Sequence, residues 1–359
     1  MLSLTDYGNN IDGQILSDSV SIDLVKACVE NIYNFRFEEA EKDFSRIKLS
    51  YPEHPVIYLI DGMMTYWKSY PLVPSSSNRQ IYEDNLRTCI DMCENKSQPG
   101  NDAEYLLANL CARGLLLLFY ADNDLSRNVI PLAASTYKYI KRSFEYTDSL
   151  NDFYFFTGLY NYYREAYPES HPIYKPLAAL FPKGDKEKGL SELNKAANTS
   201  IILKAESTAF LFYISLSFEN NFSEALKFNK ILHDRYPSNE QYTGDLIKSL
   251  LLEKKYTEAE KLISEISTEA TGRYLEIQVS VFRGVLQEKK YRNYQLASQH
   301  YNSGIADIGQ YGDFADELGS IAYLGLSRIA EITGNTREMN NLRRKGMNLT
   351  TFKFDPFSY

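Results

Sequence analysis

The chain has 359 residues, a formal net charge of −8, and hydrophobic and charged shares of 44% and 24%. That composition belongs to a folded soluble protein, long enough to bury about three quarters of its unfolded surface, as two ordinary domains or one elongated repeat domain. The negative balance argues against broad nucleic-acid binding, which needs a cationic surface to displace phosphate counterions, and against docking on anionic membranes.

In chain order, the opening "MLSLTDYGNNIDGQ" is polar and turn-rich, without a secretory signal. The expectation is a cytoplasmic protein as the chain stands, or a periplasmic or cell-envelope one if a signal was removed. Helical periodicity then dominates. Helices are expected at 20–34, 38–50, 55–69, 79–95, 102–121, 128–147 and 150–166. The second half adds 186–198, 201–219, 223–235, 239–253, 257–267, 270–288, 294–309, 312–332 and 336–348. "PLVPSSSN" (71–78) and "ENKSQPGND" (94–102) read as loops. The apolar stretch Tyr105–Ala121 carries Asn109 and Arg113 and is short for a bilayer span, so it reads as a buried helix and not as an integral membrane segment. The final helix is polar, as a terminal repeat with one face to water must be.

A helix opening recurs: an aromatic, two polar residues, then a small residue. It stands as "FEEA" at 37–40, "FSEA" at 222–225 and "YTEA" at 256–259. From Phe222 to Tyr256 is 34 residues. Ala40, Phe44, Ile47 and Tyr51 follow at steps of 4, 3 and 4, as do Ala259, Ile263, Ile266 and Ala270, and Ala297, Tyr301, Gly304 and Ile308. Such steps keep residues on one side of a helix. Gly189, Leu193 and Ala196 begin the same series. Helices then stop at Tyr51-Pro52 and Tyr236-Pro237, where proline lacks the amide hydrogen. Together these features resemble the tetratricopeptide repeat family, whose period is about 34 residues. The matches are centred on Phe37, Phe222 and Tyr256, with looser ones on Lys186, Tyr294 and Thr336. They cover about half the chain; residues 56–150 match poorly.

The resemblance implies an all-α fold: an α-α superhelix, a right-handed solenoid of antiparallel helix pairs. Residues 1–19 form a polar segment, 20–349 the repeat domain (divergent over 20–150, clearer over 151–349) and 350–359 a tail. Within the domain, "FYFFTGLYNYYREAY" places Phe153, Phe156, Tyr160, Tyr163 and Tyr167 on one stripe, and Phe155, Leu159, Tyr162 and Ala166 on a second. A helix apolar over most of its circumference is sandwiched by neighbours. The phenylalanines read as core. Buried tyrosines need hydroxyl partners, so Tyr154, Tyr160, Tyr162 and Tyr163 are candidates for a groove. The proline-rich 168–185 reads as an insertion, either a plug or a partner-contacting loop.

The sequence holds no HExxH, GxSxG, GxxxxGK[ST] or strand-borne GxGxxG, so metal hydrolysis, acyl transfer and nucleotide binding lack their usual residues. His54 and His171 sit beside prolines and read as surface loop residues. "DNDLS" (122–126) lacks the glycine and final glutamate of a calcium loop and reads as a turn. Cys28, Cys89, Cys93 and Cys111 read as buried free thiols. No cofactor is expected. The family resemblance implies a non-catalytic scaffold binding a peptide or protein in a concave groove. By register, Phe210, Ile214 and Ser217, then Gln241, Lys248 and Leu252, face that groove, with Lys248 and Arg164 placed to grip a partner carboxylate. A second reading is a glycan or small-molecule binding protein of the bacterial cell envelope, stacking sugars on tyrosines, as helical glycan-binding lipoproteins do.

Overall fold

A computed structural model describes residues 15–16, 18–95, 102–170, 172, 175–266, 272–352 and 354–358. The fold is all-α; no strand occurs among the described residues. The helices are α1 (Ser19–Tyr33), α2 (Phe37–Ser50), α3 (Val56–Lys68), α4 (Arg79–Asn95), α5 (Asp102–Asp122), α6 (Ser126–Ser143), α7 (Phe153–Ser170) and α8 (Lys175–Ala178). They continue as α9 (Lys186–Thr199), α10 (Lys204–Tyr213), α11 (Phe222–Arg235), α12 (Glu240–Leu252), α13 (Tyr256–Glu265), α14 (Arg273–Lys289), α15 (Tyr294–Ile308), α16 (Asp316–Ile332) and α17 (Thr336–Leu349).

Each pair of neighbours packs for the reason the sequence supplies. Ala40, Ala225, Ala259 and Ala297 are fully enclosed, so the partner helix lies close over each one. Gly158 on α7 and Gly189 on α9 go further. A Cβ on Gly189 would stand 2.8 Å from the Gly158 carbonyl oxygen, and one on Gly158 would stand 2.9 Å from Leu193 Cγ. Only glycine allows that approach.

The turns inside the pairs repeat one another. Phe35, Asp124, Asn220, Lys254, Arg292 and Gly334 all have positive φ, between 47° and 76°. Each stands two residues before the start of α2, α6, α11, α13, α15 or α17. The next amide then reaches back to the preceding helix, as from Arg36 to Asn31, Leu125 to Tyr120, Lys255 to Leu250 and Asn335 to Ala330. This is the left-handed helix stop that satisfies orphan carbonyls. Asn221, Asn293 and Asn335 then cap the next helix through their side chains. Non-glycine residues are strained in the left-handed region. Lys254→Gly at this exposed position is therefore expected to stabilise the protein by about 0.5–1 kcal/mol; an unchanged or lower urea midpoint would contradict the assignment of strain there.

Several expectations are corrected. α7 continues through Pro168 to Ser170, because proline removes one donor without stopping a helix already held on both sides. α6 closes at Ser143 and contains Pro131. The expected helix at 201–219 widens at its end into a π-turn, Ile214–Phe218. A 3₁₀ stretch, Gly309–Ala315, precedes α16 and turns at Gly312, with φ 54°. His54 is buried, not at the surface: its Nε2 lies 3.4 Å from Glu104 Oε2, and its Nδ1 accepts from the Val56 amide. His171, Ala270 and residues 96–101 lie outside the described residues. The C-terminal tail is docked through buried Phe352 and Phe357. Helix α5, at 21 residues, is long and apolar enough to cross a bilayer, yet it is mostly buried and is the one such helix among the described residues. It carries Arg113, which donates to Asn109 and Glu94.

The chain curls until its first quarter meets its second half. Tyr33 at the end of α1 stacks near Tyr236 and Trp67, each at 5.5 Å, and its hydroxyl donates to Glu206 on α10. Asn239 Nδ2 donates to the Tyr33 carbonyl at 2.9 Å, and Tyr236 and Arg235 bond to Glu30. Trp67 meets Tyr242 at 6.2 Å, and Tyr70 meets Tyr274 and Phe314 at 6.3 and 5.9 Å. Five of the 29 tyrosines, Tyr33, Tyr70, Tyr236, Tyr242 and Tyr274, meet at this junction.

Candidate partner-binding cleft

The insertion lies over α6 and α7. Phe181 packs edge-on to Tyr137 at 4.7 Å, Tyr160 donates its hydroxyl to the Pro182 carbonyl at 2.7 Å, and Arg164 Nη2 donates to the Phe181 carbonyl at 3.1 Å. Arg164 also meets Glu165, so its guanidinium is occupied within the chain. Tyr162 is fully enclosed, with its hydroxyl on Glu219. Tyr163 stacks against Phe218 and Phe210 at 5.2 and 6.5 Å, and its hydroxyl is enclosed without a hydrogen-bond partner. Tyr154 is half-buried beneath the Lys195 ammonium, 3.8 Å from the ring centroid. Ile214 and Leu252 are core residues. Phe210 and Ser217 are half-buried.

Gln241 and Lys248 converge on a different place. Gln241 bonds to Asp245 on the same helix, and Lys248 reaches Glu317 at the start of α16. Lys248 is buried, with Nζ 3.2 Å from Asp245 Oδ1 and 2.9 Å from Glu317 Oε2. Burial alone would push its pKa down; Glu317 and then Asp245 outweigh that and hold it above the ordinary lysine range. Burial raises Asp245, with Lys248 pulling it back and Gln241 bonded to it. Glu317 Oε1 is enclosed without a hydrogen-bond partner.

Asp122, the last residue of α5, acts electrostatically on Tyr213 and Tyr274, as Glu317 does. Burial pushes its carboxyl up to about 7. It also acts on Tyr66 and Tyr70. Tyr213 is 43% exposed; burial of its hydroxyl end, then Glu317 and Asp122, push it up to about 12. Two carboxylates, Asp245 and Glu317, stand against the ammonium of Lys248, leaving a charge of −1 when all three ionise. A second cation would be drawn in. Lys248 is already paired with Asp245 and Glu317 within the chain.

Sequence register therefore reached Gln241 and Lys248 and missed Asp122, Asp245, Glu317 and Tyr213. Asp245 was readable as the i,i−3 partner of Lys248. Asp122 and Glu317 come from helices distant in sequence, at a helix end and a helix start, and no local pattern marks them. No group of three or more potential metal ligands occurs among the described residues. Set against known proteins, the chain matches no family model, no curated protein and no solved structure.

Proposed function

We propose that this chain is a non-catalytic helical-repeat scaffold of the tetratricopeptide kind, whose stacked pairs form a superhelix and hold a peptide or protein partner on the inner side. The recurrence of one turn geometry ahead of six second helices supports the repeat reading. The observation that carries the partner's chemistry is the unbalanced charge around Lys248. The partner presents a lysine or arginine side chain, which pairs with Glu317 beside the Tyr213 ring.

The test is a peptide array in which one position varies between Lys, Arg, Gln and Glu. Basic members are expected to be retained and acidic ones lost. Asp122→Asn with Glu317→Gln is expected to weaken the basic members about tenfold or more. Binding draws Asp122 into its ionised form. Affinity should therefore rise as pH increases through about 7, and Asp122→Asn should abolish that rise. Equal retention of acidic and basic members would overturn the reading. A glycan array run in parallel addresses the sugar reading, for which Tyr213 offers an exposed ring and the enclosed Tyr162 does not.

A further inference from the structure

A cavity of about 180 Å³ lies between α3, α5, α6, α7 and α10, away from the acidic cleft. Leu59, Met63, Leu107, Leu110, Phe155 and Phe156 are among the side chains that line it. Protein interiors pack like organic crystals and hold few voids larger than a water molecule. This one equals roughly six water volumes at ~30 Å³ each. Its wall is almost wholly apolar, and its few polar groups are mostly engaged within the chain. Glu104 accepts from the Ile15 and Leu16 amides and faces His54. Glu206 accepts from Tyr33, although its Oε2 has no hydrogen-bond partner.

Gly114 shows that the space is not merely imperfect packing. It sits in the middle of α5 and lines the cavity. Glycine there weakens a helix relative to alanine. Elsewhere that weakness has a packing reason: a Cβ on Gly62, Gly158, Gly189, Gly284, Gly304 or Gly325 would come within 3 Å of a neighbour. At Gly114 a Cβ would meet nothing within 4 Å. The helix forgoes a side chain where one would have room. Access is also built in. Of the 18 residues of α6, only Thr136, Tyr139 and Ser143 are buried, and Leu118 on the cavity wall is 39% exposed.

We propose that this cavity binds a small uncharged apolar molecule, of the size of a single aromatic ring or a hydrocarbon segment of about six carbons. An apolar cavity of about 150 Å³ is known to stay dry and accept benzene, so the dimensions suit that class.

The probes are hexafluorobenzene, followed by ¹⁹F NMR, and toluene as competitor, added to the full chain. Wild type is expected to shift or broaden the fluorine signal saturably, and toluene to displace the probe. Toluene should also raise the melting temperature in a concentration-dependent way, as any ligand specific to the native state does. Gly114→Leu is expected to fold and to bind at least tenfold more weakly. Should Gly114→Leu fail to fold, Met63→Phe, which adds volume to the same wall, is the deciding variant, with the same tenfold loss expected. No saturable binding by wild type overturns the proposal. So does unchanged affinity in whichever variant folds.

Discussion

Replacing Arg328 by alanine is expected to cost about 3–5 kcal/mol of stability, because it strands a buried carboxylate. Arg328 on α16 forms two parallel bonds to Glu288 on α14, Nε to Oε1 at 2.7 Å and Nη2 to Oε2 at 2.8 Å. Its Nη1 reaches Asp355 at 2.5 Å, pinning the C-terminal segment, while Tyr301 on α15 donates to Glu288 at 2.8 Å. Burial alone would raise the Glu288 pKa; Arg328 outweighs it and holds the carboxyl below its usual range. Three helices and the tail thus share one satisfied network, and forked geometry makes such pairs strong. In Arg328→Ala, Lys289, at 3.1 Å from Oε1, is the one cation left at Glu288, beside the Tyr301 hydroxyl. The double variant Arg328→Met with Glu288→Leu removes both charges and is expected to lose less than either single change. Urea unfolding of the three variants decides: a loss below about 1 kcal/mol in Arg328→Ala would show that the network is not held in solution.

The second large effect concerns Glu206, at the junction of the two halves. Its ordinary pKa is 4.5, and burial raises it to about 7 despite the hydrogen bond from Tyr33. Between those values the native state holds a proton that the unfolded chain has released. Stability therefore falls as pH rises from about 4.5, and the loss is complete above about 7. The gap corresponds to roughly 3 kcal/mol at most. Glu206→Gln keeps an oxygen for Tyr33 and removes the charge. It is expected to be more stable than wild type by about 2–3 kcal/mol at pH 8 and nearly equal at pH 4.5. Denaturant melts across that range provide the check; parallel curves would mean that the carboxyl is hydrated in the native state.

The helices and their pairing were legible because their signals are local. "FEEA", "FSEA" and "YTEA" each open a helix where expected, and Ala40, Ala225 and Ala259 are each enclosed. Phe153 and Phe156 are core, as a helix apolar over most of its circumference demands. Pro168 misled because its exclusion from helix interiors is an energy, about 3 kcal/mol, which packing on both sides of α7 outweighs. His54 misled because a neighbouring proline marks a turn, not exposure; the carboxylate that covers it is 50 residues away, at Glu104. The junction was illegible for a related reason. Tyr33, Trp67, Tyr236 and Tyr242 look like any helical core aromatics in sequence, and only the tertiary fold brings residues about 170–200 positions apart into contact. Lys248 shows the limit of register: spacing along α12 does not reveal that its ammonium is paired with Asp245 and Glu317.

The central claim is that the end of α5 is enclosed, away from water, where the first quarter of the chain meets its second half. Its most direct measurement is the pKa of the Asp122 side-chain carboxyl, by carbon-detected NMR titration of the intact protein, assigned with Asp122→Asn. Closure of the two halves around the end of α5 requires a midpoint near 7. A midpoint near 4, the value of a carboxyl in water, would mean that the cleft stands open and hydrated, and the charge preference built on it would not hold.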